Sequence, residues 1–170
     1  MVIMSSYILI SEPYAPQTPN GDLKMYPALE AEWLKIRFDA INTLHIAPFN
    51  AVLVGGKYMF GRGPTCTATN PAGDLNDRLE WVIKRARSMN PNIKLIAEQM
   101  HNDGDYSVLS GGNYHDYTDS VANFMTMYLH KTLDSLDGVK GAIPAHFDGY
   151  GLDYEAGGLD DQHKLGSGNL

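Results

Sequence analysis

One cysteine, Cys66, stands in 170 residues, so no disulfide can close within the chain. Nothing therefore points to an oxidising compartment. Basic residues are also few: 13 Lys and Arg face 20 Asp and Glu, a formal charge of -7. Nucleic acid and anionic membrane both need clustered cations, and this balance argues against both as partners. A neutral ligand such as a sugar stays open. Long apolar runs are missing too. No stretch approaches the roughly 18 apolar residues of a membrane helix. The opening MVIMSSYILISEPY has no basic leader or small-residue cleavage site and runs into Glu12 and Pro13. It reads as a strand, not a signal peptide, and the cytoplasm is the favoured location. Two catalytic signatures are lacking. No G-x-G-x-x-G follows the first strand, so dinucleotide binding has no support. No G-x-S-x-G occurs, which sets acyl transfer aside. No cofactor is implied.

What is present is ordinary globular material. Hydrophobic residues make up 44% and charged residues 19% of the chain, enough to bury a core in one domain or part of a larger one. Four strand-like runs alternate with three helical patterns. YILIS (7–11) is a compact apolar strand. After a Pro/Asn/Gly-rich loop, Leu29, Trp33, Ile36 and Ala40 follow helical spacing and predict a helix over about 28–41. TLHIAPF (43–49) is a second strand. In AVLVGGKYMFGRG two apolar runs flank Gly55-Gly56, a hairpin signal.

The next helix is the clearest. Asp74 is a plausible N-cap, and Leu75, Leu79, Val82, Ile83 and Ala86 form one stripe that should stop before Pro91. IKLIA (93–97) is the third strand. Thr118 or Asp119 can cap a third helix with Val121, Phe124, Met125, Tyr128, Leu129 and Leu136 on its face, ended by Gly138 and Gly141. The fourth strand lies in HFDGYGLDYE (146–155). Residues 161–170 read as a polar tail. The order βαβαβαβ fits parallel strands joined by helices. Two α/β architectures suit it: an open doubly wound sheet, or strands 1–4 of a (β/α)₈ TIM barrel. Either places its site at the C-terminal ends of the strands.

Alternate side chains of a strand share a face. Gly151, Asp153 and Glu155 then point one way, and Asp148, Tyr150, Leu152 and Tyr154 the other. Carboxylates two residues apart lie about 7 Å apart at the Cα atoms. Buried together, they cannot both ionise cheaply, so one becomes a candidate general acid. A strand-end acid is ordinarily solvated or caps the next helix. Here, however, Phe147, Leu152 and Tyr154 flank the acids, a setting unlike a lone surface cluster.

These residues resemble the strand-4 signature of glycoside hydrolase family 18, the chitinases and endo-β-N-acetylglucosaminidases. That signature reads D-G-x-D-x-D-x-E after a Phe. Phe147, Asp148, Gly149, Asp153 and Glu155 match, Tyr154 fills the aromatic slot, and Gly151 stands where the second acid belongs. TLHIAPF is similar to the family's second strand, and IKLIAEQM falls at its third, without the glycine pair common there. The resemblance covers about residues 7–156. It implies the N-terminal half of a barrel over 1–160, since a whole barrel needs on the order of 250 residues. It implies cleavage of β-1,4 links beside N-acetylglucosamine by a substrate-assisted retaining mechanism. Glu155 is then the general acid/base, Asp153 orients the substrate acetamide, and Asp148 is a hydrogen-bonding residue near the strand's start. The alternatives are a sugar-binding protein without catalysis, or a truncated fragment. A four-stranded parallel sheet exposes both edges and one apolar face, which suggests a homo-oligomer.

Tyr14, Tyr106, Tyr150 and Tyr154 are candidate sugar-stacking rings. His101, Asp103 and Asp105 cluster after the third strand, but loop residues of these types are commonly solvated, and no metal is assigned. His45, inside an apolar strand, reads as a satisfied core histidine. Cys66, near Arg62, is a weak candidate for a reactive thiol.

Overall fold

The fold is described from a computed structural model covering residues 4–10, 31–62, 65–101 and 113–154. For His101, Asn113 and Tyr154 only the backbone is described.

Four strands form the parallel core of a mixed α/β sheet. They are β1 (Ser5–Leu9), β2 (Thr43–Val54), β4 (Lys94–His101) and β7 (Gly149–Tyr154), in the order β1-β2-β4-β7. Consecutive parallel strands are therefore neighbours, as the βαβ alternation predicts. No closed barrel is seen among the described strands. The second half of β2 turns back at Gly55 and Gly56, both with positive φ, into the antiparallel β3 (Lys57–Gly61). Glycine fits that turn because a Cβ disfavours φ above zero.

Below the sheet lies α1 (Asn76–Met89). Its Leu79, Val82, Ile83 and Ala86 are buried with Ile8, Ile10, Leu44, Ile46, Leu95 and Ala97, the helix-side row of the strands. It ends before Pro91, where the chain turns extended at Asn90. Arg78, 1% exposed, donates from Nη1 to the Ile10 carbonyl at 2.9 Å and ties the helix to the end of β1. The second helix, α2 (Asn113–Leu129), packs its aromatic side on the hairpin. Phe124 lies 4.9 Å from Phe60, 5.3 Å from Phe49 and 5.2 Å from Phe147 between ring centroids. Burying one such ring contributes about 1.5–3 kcal/mol. Ser120 Oγ accepts the Phe60 N–H at 2.6 Å and fixes the register of helix against hairpin.

Several expectations are corrected. The helix foreseen over 28–41 is helical only at 31–33 within the described residues, then passes through a turn into a 3₁₀ turn, Phe38–Ala40. Its apolar residues are still used: Trp33, Phe38 and Ile41 are buried. Asp74 is no N-cap. It sits in a 3₁₀ turn (Gly73–Leu75) that leads into α1 without a side-chain cap. The third helix starts at Asn113, five residues before Thr118, and ends at Leu129, so Leu136 is not on its face. Residues beyond it form a small antiparallel pair, β5 (Thr132–Leu133) and β6 (Ile143–Pro144), absent from the sequence reading. Gly138 and Gly141 turn this connection rather than ending a helix. Cys66 is buried. Burial pushes its thiol up, against backbone hydrogen bonds at Arg62 and at itself that pull it down. A buried neutral thiol is an inert one.

Candidate functional site

Strand alternation divides the sheet's side chains into two rows. The row away from α1 is more open. On it lie Tyr7 of β1, His45 of β2, Ile96, Glu98 and Met100 of β4, and Gly149, Gly151 and Asp153 of β7. The pairings Tyr7 with His45, His45 with Ile96, Glu98 with Gly151 and Met100 with Asp153 place them side by side. Tyr7 is 53% exposed, whereas Asp153 and Met100 are half-buried.

Glu98 is the acid at the centre of this face, and it is only 2% exposed. Its Oε2 lies 2.8 Å from Nδ1 of His45. A carboxylate oxygen accepts only, so the imidazole N–H is the donor. The His45 ring stacks on Tyr7 at 4.6 Å between centroids and 17° between planes. Tyr7 in turn hydrogen-bonds Glu98. Burial first, then the negative charges of Glu98 and Asp153, then that hydrogen bond push its phenol above the ordinary value. One hydroxyl therefore feels both carboxylates.

Asp153 ends this row at the C-terminal edge of the sheet. Asp148 lies at the other end of β7. Its Oδ1 accepts from Lys94 Nζ at 2.8 Å, and its Oδ2 accepts the Leu95 N–H at 3.0 Å and Arg87 Nη2 at 3.4 Å. Arg87 also donates to the His146 carbonyl at 2.9 Å. Asp148 thus stitches the start of β7 to β4 and α1, and stands apart from Asp153.

Tyr150 points to the opposite side. Its hydroxyl donates to Gln99 Oε1 at 2.5 Å and lies 3.3 Å from the Tyr117 hydroxyl, and its ring meets Phe60 edge-on at 5.5 Å. Tyr150 and Asp153 stand on opposite faces of β7, as the odd number of strand positions between them requires. His45 is half-buried on the open face rather than in the core, and Glu98 satisfies it. Glu155, Tyr14, Tyr106, Asp103 and Asp105 lie outside the described residues, and of Tyr154 only the backbone, paired with His101, is described. Among the described residues no group of three His, Cys, Asp or Glu could hold a metal ion. Among them, too, no helix is long and apolar enough to cross a membrane.

Glu98 was missed because the third strand was ended at Ala97. Continued by period two from Lys94 and Ile96, the same strand carries Glu98 onto the open face. An acid directly after the apolar run Leu95-Ile96-Ala97 was the available signal.

Comparison with known proteins leaves this geometry to stand alone: no protein-family model, no curated protein and no solved structure matches the chain.

Proposed function

We propose that the chain is a chitinase-like glycoside hydrolase segment acting on β-1,4 links beside N-acetylglucosamine. The observation that carries the reading is the position of Asp153. It is a half-buried carboxylate at the C-terminal end of the last of four neighbouring parallel strands, on one face with a second, buried carboxylate. In parallel α/β sheets that edge is where sites assemble. The β7 motif supports the same reading, with Glu155 two positions beyond Asp153 as general acid/base. Asp153 would orient the acetamide whose oxygen attacks the anomeric carbon, and Glu155 would protonate the leaving oxygen. The partner is then a glycan containing N-acetylglucosamine.

Glu155→Gln keeps size and removes the ionisable proton. It should abolish hydrolysis of a chromogenic chito-oligosaccharide while sparing binding. Unchanged turnover in that variant would remove the assignment. Gly151, in place of the family's second acid, favours a second reading, a sugar-binding protein without cleavage. Micromolar binding of chito-oligosaccharide with no product on chromatography selects it.

A further inference from the structure

Gly151 is the one departure inside the β7 motif, and its partner across the ladder is Glu98. A Cβ built on Gly151 would stand 2.6 Å from the Glu98 carboxyl carbon and 2.9 Å from Oε1, with Oε2 closer still. Side-chain atoms do not approach so closely. A side chain at 151 and Glu98 in its present place therefore exclude each other. Glu98 is not free to swing aside without loss, since His45 and Tyr7 both hold it and it is almost fully buried. Its carboxylate fills the space that an acid projecting from 151 would fill. Asp153 follows on the same face, about 7 Å further along the strand.

We propose that Glu98 supplies, from β4, the carboxylate that β7 lacks at position 151, and that it is a positioning residue for Asp153. His45 and Tyr7 hold the Glu98 carboxylate, and Asp153, two positions beyond the ladder partner of Glu98, lies on the same face, where its charge also reaches Tyr7. A carboxylate fixed in place limits the rotamers open to a side chain beside it on the same face. An anchored one orients the other. That an acid comes from β4 where the motif expects one from β7 makes Gly151 a requirement of the arrangement. The role of Asp153 rests on the glycosidase reading, whereas the occupation of the 151 space by Glu98 does not.

The test is an exchange, read two ways. Glu98→Ala, Gly151→Asp and the double variant are unfolded in guanidinium. Gly151→Asp alone should lower the midpoint, and adding Glu98→Ala should recover at least half of that loss. A double variant as unstable as the two single losses added would overturn the proposal. In the chito-oligosaccharide assay Glu98→Gln should lower kcat about tenfold or more with KM little changed, the pattern of an interaction made in the transition state. The double variant should regain part of that loss. Unchanged kcat in Glu98→Gln would overturn the positioning role. Absence of hydrolysis by the wild-type chain would sink the glycosidase reading instead, and the unfolding cycle would then decide the proposal by itself.

Discussion

Replacing Asp148 by Asn should destabilise the fold at neutral pH and matter progressively less in acid. The side chain is 15% exposed and faces Arg87, whose side chain is 5% exposed. Breaking a buried ion pair costs about 3–5 kcal/mol. The lower end applies, because the contact is 3.4 Å and Arg87 keeps its bond to the His146 carbonyl. Lys94, 63% exposed, adds about 0–1 kcal/mol. An Asn oxygen can still accept one donor, which offsets about 1 kcal/mol. The net expectation is about 2–3 kcal/mol at pH 7. Burial alone would raise the Asp148 carboxyl. The Lys94 hydrogen bond, the Leu95 N–H and the charges of Lys94 and His146 outweigh it and hold the group below its ordinary value. A carboxyl held low in the folded state stabilises fully above its unfolded value, about 3.9, and loses that contribution as pH falls toward the folded one. Urea unfolding at pH 7 and pH 3 measures both gaps, with an unchanged m-value as the control. A loss under about 1 kcal/mol at pH 7, no more than one neutral hydrogen bond, would refute the reasoning. So would a gap that widens in acid.

The Tyr7 phenol should ionise above its usual pH, and Glu98→Gln and Asp153→Asn should each bring it down. Carbon-13 tyrosine NMR reads the titration, and no movement in either variant would dissolve the cluster. At micromolar concentration, light scattering should give a mass above the 18.7 kDa of one chain, because β1 and β7 bound the described sheet and its open face carries exposed Tyr7 and Leu9. A clean monomer mass would count against that association.

The four parallel strands, the hairpin and α1 were legible because each has a pattern that only one element satisfies. The stripe of α1 repeats at 3.6 residues, and Gly55-Gly56 permits the positive φ that a tight turn needs. The elements that were misplaced have ends decided by tertiary packing. Phe38 is buried from a 3₁₀ turn, outside the helical spacing of its neighbours. The first turns of α2 pack on the hairpin through Tyr117 and Ser120, contacts between residues far apart in the chain. The face that Asp153 shares with Gly151 was legible from strand parity. Glu98 was not, since its importance depends on which residue lies opposite it, and cross-strand register is not written in local spacing. The neighbours of Tyr150, Gln99 and Tyr117, were not legible either, for the same reason.

The alternation of side chains along β1, β2, β4 and β7 has an evolutionary consequence. In β1, and in β2 as far as Ile46, odd-numbered positions face outward, with Tyr7 and His45 among them, and even-numbered ones grip the helix layer; beyond Ile46 the register of β2 shifts. Exposure and cohesion thus occupy separate registers over that part of the sheet. Substitutions at the exposed outward positions, Tyr7 among them, leave the helix-facing row untouched, whereas Glu98 and Gly151 on the same face are tied to each other by packing.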